Sequence, residues 1–139
     1  MKRSWMAALL GAALAAAQPA AAQLSDNVLR IGVLNDQSGL FADLAGPGSV
    51  EAARMAAADF GGTVLGRPIE VVAGDHQNRP DVGSALARRW YDNDRVDVIM
   101  DIPNSGVALA VQGVARERRR LVIYSSAAVS DLTGRACSP

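Results

Sequence analysis

The sequence predicts an α/β domain built on a doubly wound parallel sheet with helices on both faces. Three observations lead there. Short apolar runs rich in Val and Ile alternate with longer helical segments in the order β-α-β-α-β-α-β. The connections are short, and right-handed crossovers between parallel strands distribute the helices over both faces. The apolar runs are continuous rather than alternating, the pattern of strands buried on both faces.

The elements follow in order. Leu29 to Leu34 is a short β-branched run and reads as the first strand. Asp36 to Gly46 reads as a loop. Pro47 opens an Ala-rich helix whose apolar surface carries Val50, Ala53, Met55, Ala57 and Phe60, and Gly61-Gly62 ends it. Pro68 to Ala73 is the second strand, followed by the polar loop Asp75 to Asn78. Asp81 to Tyr91 is a helix with Val82, Ala85, Leu86, Arg89 and Trp90 on one face, and Asp92-Asn93-Asp94 terminates it. Val96 to Met100 is the third strand. Ser105 to Arg118 is the third helix, with apolar Val107, Leu109, Ala110, Val111 and Val114. Leu121 to Tyr124 is the fourth strand, and the remainder to Pro139 reads as irregular or as the start of a further element. No internal repeat is present.

Composition removes several functions. The 139 residues suit one domain or one lobe of a larger protein, and 50% hydrophobic against 20% charged residues excludes wholesale disorder. A formal net charge of zero argues against nucleic-acid binding by bulk electrostatics. A single Cys excludes an internal disulfide and a Cys-based zinc site, and a single His excludes HExxH, so no metal and no cofactor is expected.

Residues 1–22 read as a secretory signal peptide. Met1-Lys2-Arg3 is a basic start, Trp5 to Ala17 an apolar stretch, and Ala20-Ala21-Ala22 supplies the small residues a signal peptidase reads, so cleavage is expected after Ala22. The apolar stretch, broken by Gln18-Pro19, is shorter than the roughly 20 residues that span a bilayer. Residues 23–139 would then be the exported, periplasmic part.

Open α/β sheets take ligands at the carboxyl ends of their strands, which directs attention to Asp36–Gly46, Asp101–Ser105 and Ser125–Ser130. Gly46-Pro47-Gly48 is not a dinucleotide fingerprint: the third Gly is missing and the stretch lies too far from the first strand. Without any Lys beyond Lys2 there is no P-loop. Asn104 and Ser105 are favoured N-caps at the start of a helix, where free N–H groups receive a carboxylate or phosphate; plain capping is the competing reading. Ser125-Ser126-Ala127-Ala128 offers small residues that admit close approach to the backbone, or simply a small-residue turn. His76 lacks a GxSxG partner and reads as a surface or hydrogen-bonded histidine rather than a catalytic one. The basic run Arg116–Arg120 reads as a solvated helix C-terminus, where cations offset the macrodipole.

These stretches together carry a resemblance. IGVLNDQSGLFADLAGPGSVEAARMAAADFGG, VLGRPIEVVAGDHQNRPDVGSALARRWYD, VDVIMDIPNSGVALAVQGVARE and SSAAVSDLTGRACSP resemble, in order and spacing, the N-terminal lobe of periplasmic substrate-binding proteins of branched-chain amino acid ABC transporters, the leucine-binding protein family. The resemblance implies a type I periplasmic binding fold, a ligand held between two lobes, and no catalysed reaction. It places ligand contacts on Asn104 and Ser105, on Ala127 and Ala128 through backbone groups, near Val129, and on the Phe41–Leu44 stretch bordering the side-chain pocket, with Leu44 in its wall. The Thr hydroxyl common in the family's fourth-strand loop is replaced here by Ala128 or Val129. One ligand hydrogen bond is thereby lost or moved, which admits another amino acid or a small amide-derived or aromatic acid.

The resemblance further implies a small-molecule ligand and, in a full-length form, membrane permease subunits as partners. It also implies that residues 23–139 are an incomplete lobe, a fragment or a prematurely ended frame, in which the lone Cys137 awaits a downstream partner. The alternative is an exported ligand-sensing domain of a receptor or regulator that binds a different small carboxylate.

Overall fold

The structure is a computed structural model that describes residues 24 and 26–138. The signal peptide and its cleavage point after Ala22 lie outside the described residues. The elements are β1 (Leu29–Asn35), α1 (Ala42–Ala45), α2 (Pro47–Asp59), β2 (Thr63–Val64), β3 (Arg67–Asp75), α3 (Pro80–Asp92), β4 (Val98–Met100), α4 (Ser105–Arg118), β5 (Leu121–Ile123) and a 3-10 turn over Ser130–Thr133. They form one sheet in the order β2-β3-β1-β4-β5. β1 pairs in parallel with β3, from Leu29 opposite Ile69 to Asn35 opposite Asp75, and with β4, Ile31 opposite Val98. β4 pairs in parallel with β5.

The chain moves from β1 outward to β3, then back across β1 to β4 and on to β5. Right-handed crossovers therefore put α2 on one face and α3 with α4 on the other. The contacts agree: α2 packs on β1 and β3, and α3 packs on α4. The order reverses between β1 and β4, and in such sheets the crevice opens at the carboxyl ends there.

The core lies on the α3–α4 side. Trp90, Ala87, Ile99, Val107, Val111 and Val114 close it together with Leu34 and Ile102. The Trp90 indole lies over a strip of bare backbone. A Cβ on Gly32 would come 2.5 Å from its ring, and one on Gly74 would come 2.8 Å away. Glycine in both strands is thus a packing requirement.

Several boundaries differ from the sequence expectations, each for a local reason. A four-residue helix, α1, interrupts the loop expected from Asp36 to Gly46. β3 is longer than Pro68–Ala73 at both ends: Gly74 and Asp75 pair with Leu34 and Asn35 of β1, and Arg67 pairs with β2 across a tight turn, with Leu65 and Gly66 at φ of +52° and +72°. This adds one antiparallel pair at the edge of the otherwise parallel sheet. β4 starts at Val98 rather than Val96, because Val96 still donates its N–H to Trp90 and closes the end of α3. β5 ends at Ile123 rather than Tyr124, because its partner strand stops opposite it at Met100.

Helix faces also shift. In α3, Gly83, Ala87, Trp90 and Tyr91 are buried, while Ala85 and Arg89 of the expected face are exposed. The helix packs beside α4 on the same face of the sheet, and Gly83 lies where a Cβ would meet Val107 at 2.5 Å. On α2, Val50 is buried but Met55 and Phe60 are exposed. Continuous burial on both strand faces holds for the second half of β1, Gly32 to Asn35, and not for the outer strands β3 and β5.

Candidate functional site

The four parallel strands β1, β3, β4 and β5 run on into polar residues, and these build the carboxyl edge of the sheet. After β1, the fully buried Asp36 accepts the N–H groups of Gly39 and Phe41, both at 2.9 Å. The turn so formed leads into α1, on which Leu44 stands 76% exposed. An apolar side chain this open borders the space above the sheet instead of filling the core.

After β4, Asn104 caps α4. Its Oδ1 accepts the Val107 N–H at 3.0 Å, and its Nδ2 donates to Asn78 Oδ1 at 2.7 Å. Ser105 then opens the helix. The Ser105 and Gly106 N–H groups have no intrahelical partner, and the Ser105 hydroxyl makes no hydrogen bond among the described residues.

The loop after β5 contributes Ser126 and Ala128. These three segments enclose an open concavity of about 450 Å³, with Phe41 and Leu44 on one wall, Pro103 to Gly106 on the second, and Ser126 and Ala128 on the third. Of the residues expected at the site, the fold brings Leu44, Asn104, Ser105 and Ala128 together here. The side chains of Ala127 and Val129 turn the other way and pack against the hydrophobic core.

The concavity offers N–H and O–H donors beside apolar walls, and no charged side chain lines it. Such a lining suits a carboxylate carried on an apolar body. It holds no nucleophile with a base in reach. A second groove, of about 530 Å³, runs between the end of α4 and β5 and is flanked by Arg116, Arg119 and Tyr124. It runs along β5 from Leu121 to Tyr124 and shares no lining residue with the concavity at the β1–β4 reversal.

Behind the concavity lies a polar layer, buried at Asn35, Asp36, His76 and Asp101 and half-buried at Asp75. Asp75 accepts from the Ser38 hydroxyl at 2.6 Å and from the N–H groups of Gln37 and Gln77. Burial alone would raise its pKa, but these donors outweigh it and hold the carboxyl below its ordinary value. His76 is fully buried rather than at the surface. Its Nδ1 accepts the Asn78 N–H at 3.0 Å, and its Nε2 has no partner among the described residues. Burial pushes its pKa below the ordinary value, and the carboxylates of Asp36, Asp75 and Asp101 pull upward without prevailing. Asp101 adopts a φ of +62° and is 7% exposed. Its carboxylate accepts from Ser125 Oγ at 2.6 Å and from Asn35 Nδ2 at 3.2 Å.

Sequence reasoning reached the lining and missed this layer. The available signal was the recurrence of Asn or Asp where each apolar run stops, as in Leu34-Asn35-Asp36, Gly74-Asp75-His76 and Met100-Asp101. At the basic helix end, Arg118 is engaged by Asp92 through two contacts of 2.7 Å. The remaining arginines on that turn stay at the surface or half-buried.

Comparison with known proteins agrees with this architecture. The family described as periplasmic binding protein matches residues 28–139. The structure is similar to a periplasmic binding protein from Burkholderia mallei, with 43% identity, a TM-score of 0.79, and coverage of 81% of this chain and 30% of that one. It is similar to a branched chain amino acid ABC transporter periplasmic ligand-binding protein from Burkholderia xenovorans LB400, with 41% identity, a TM-score of 0.76, and coverage of 79% and 29%. A third similar structure is an ABC transporter solute binding protein from R. palustris in complex with benzoate, at 28% identity, TM-score 0.71, and coverage of 81% and 31%. The chain thus spans roughly 30% of the length of these proteins. No curated protein matches it.

Proposed function

The chain belongs to the periplasmic binding protein family, and on that premise we propose that it forms the first lobe of a non-enzymatic, exported solute-binding component of an ABC transporter. The solute is a small carboxylate, either a branched-chain or related amino acid or an aromatic acid. The observation that carries this reading is the concavity at the β1–β4 reversal, where the start of α4, the Ser126 hydroxyl and the apolar Leu44 wall converge. The N–H groups of Ser105 and Gly106, together with the Ser105 hydroxyl, receive the carboxylate. Phe41, Leu44 and Ala128 border the apolar body, and the backbone at Ala127 and Val129 shapes the third wall. A second lobe closes over the ligand and excludes water, as hinge closure does in two-lobed binders. Permease subunits receive the loaded protein.

Residues 1–22 act in this reading as the export signal, and the intact mass of the periplasmic product checks removal after Ala22. Titrating the chain with isoleucine and with benzoate at millimolar concentration, followed by amide chemical shifts, tests the site. Shifts confined to residues 41–46, 103–107 and 125–129 with either compound support it. Absence of shifts with both, or shifts centred on the groove beside Arg116 and Arg119, would sink it.

A further inference from the structure

We propose that Asp101, which lies outside the lining of the concavity, is the positioning residue that holds its three walls in register. The proposal rests on the reading of that concavity as the solute site. Asp101 Oδ1 accepts from Ser125 Oγ at 2.6 Å, one residue before Ser126 of the third wall. Its Oδ2 accepts from Asn35 Nδ2 at 3.2 Å, and the same Nδ2 donates to the Gly46 carbonyl at 2.9 Å, two residues beyond Leu44 of the first wall. The second wall begins at Pro103, two residues after Asp101 itself. The Asp101 N–H also donates to the Ile123 carbonyl at 3.2 Å, which fixes the end of β5 from which Ser125 departs.

Two features mark this arrangement as more than filler. Asp101 holds a left-handed φ of +62°, a conformation that short polar residues such as Asp and Asn adopt more readily than others, so one residue supplies both the turn and the carboxylate. A carboxylate is acceptor-only with two oxygens, so it satisfies the Ser125 and Asn35 donors at once. An apolar residue at this point would leave buried Asn35 with one partner fewer and the Ser125 loop untethered.

The test compares variants by amide hydrogen exchange and nitrogen-15 relaxation in the whole chain. D101G removes the carboxylate and still adopts the left-handed backbone freely. It is expected to unfold cooperatively while nitrogen-15 order parameters fall across 41–46, 104–106 and 125–128, the segments that lose a tether. The core amides of Ile99 and Val111 should be unchanged. D101N is expected to restore the loops: Asn accepts from Asn35, donates to Ser125 Oγ and tolerates the left-handed backbone. S125A should loosen 125–128 alone, and its nitrogen-15 relaxation decides the matter if D101G fails to fold. Unchanged loop order parameters in D101G and S125A, or faster exchange spread evenly through the core amides, would overturn the proposal. Failure of isoleucine and benzoate to shift the wild-type loops would instead remove the solute reading and leave the loop result standing.

Discussion

Asn104 Nδ2 donates to Asn78 Oδ1 at 2.7 Å and thereby ties the first turn of α4 to the turn after β3. With its Oδ1 spent on the Val107 N–H, the Asn104 side chain serves the fold before it serves a ligand. Asn104→Ala should therefore cost about 1–3 kcal/mol of stability, combining a lost N-cap with a lost side-chain bond. Ser105→Ala, which removes a hydroxyl with no partner among the described residues, should stay within about 0.5 kcal/mol. Urea unfolding of the two variants measures the contrast, and equal losses would contradict it.

Two glycine substitutions should have opposite signs. Gly32→Ala places a methyl 2.5 Å from the Trp90 ring and 3.1 Å from Val96, so overpacking should cost about 1–3 kcal/mol. Gly113→Ala in α4 meets nothing within 4 Å and should stabilise by about 0.5–1 kcal/mol through helix propensity. Thermal denaturation of both variants checks the pair.

Stability should fall on mild acidification. His76 is held neutral by burial, with its pKa below the ordinary 6.5, so the unfolded chain binds the proton more readily. Its contribution is complete above pH 6.5 and is lost as the pH drops toward the folded value. Asp75, held below its ordinary 3.8, contributes above that value and is lost only in stronger acid. His76→Asn keeps an acceptor for the Asn78 N–H and removes the titration. Unfolding midpoints measured from about pH 8 to about pH 5 should slope for the wild type and be flatter for the variant.

The chain by itself should not bind isoleucine or benzoate with micromolar affinity. That affinity needs about 8 kcal/mol, and the concavity is open on one side, where water screens every charge interaction. Calorimetry with a folded, monomeric sample decides it; saturable one-to-one binding at low micromolar concentration would show that one lobe is a complete site.

The alternation of apolar runs with helices was enough to read the parallel sheet, its doubly wound form and the loops at its carboxyl edge. Those features follow from local periodicity, which each segment carries alone. Asn104 and Ser105 were singled out by capping chemistry at a strand end, a local property, whereas Leu44 and Ala128 were placed by the family resemblance. What the sequence could not determine depended on partners distant along the chain. Burial of His76 follows from α3 and α4 closing over the end of β3. The packing of Ala127 and Val129 on the core depends on the segment after β5 lying against α4, where Gln112 Nε2 donates to the Ala136 carbonyl at 2.7 Å. The joining of Asn35, Asp101 and Ser125 into one network needs three strand ends side by side, and hydrogen bonds spanning 66 and 24 residues leave no periodic trace. Tertiary structure decided these because burial and pairing are properties of the assembled sheet, whereas helix and strand preference belong to the residues themselves.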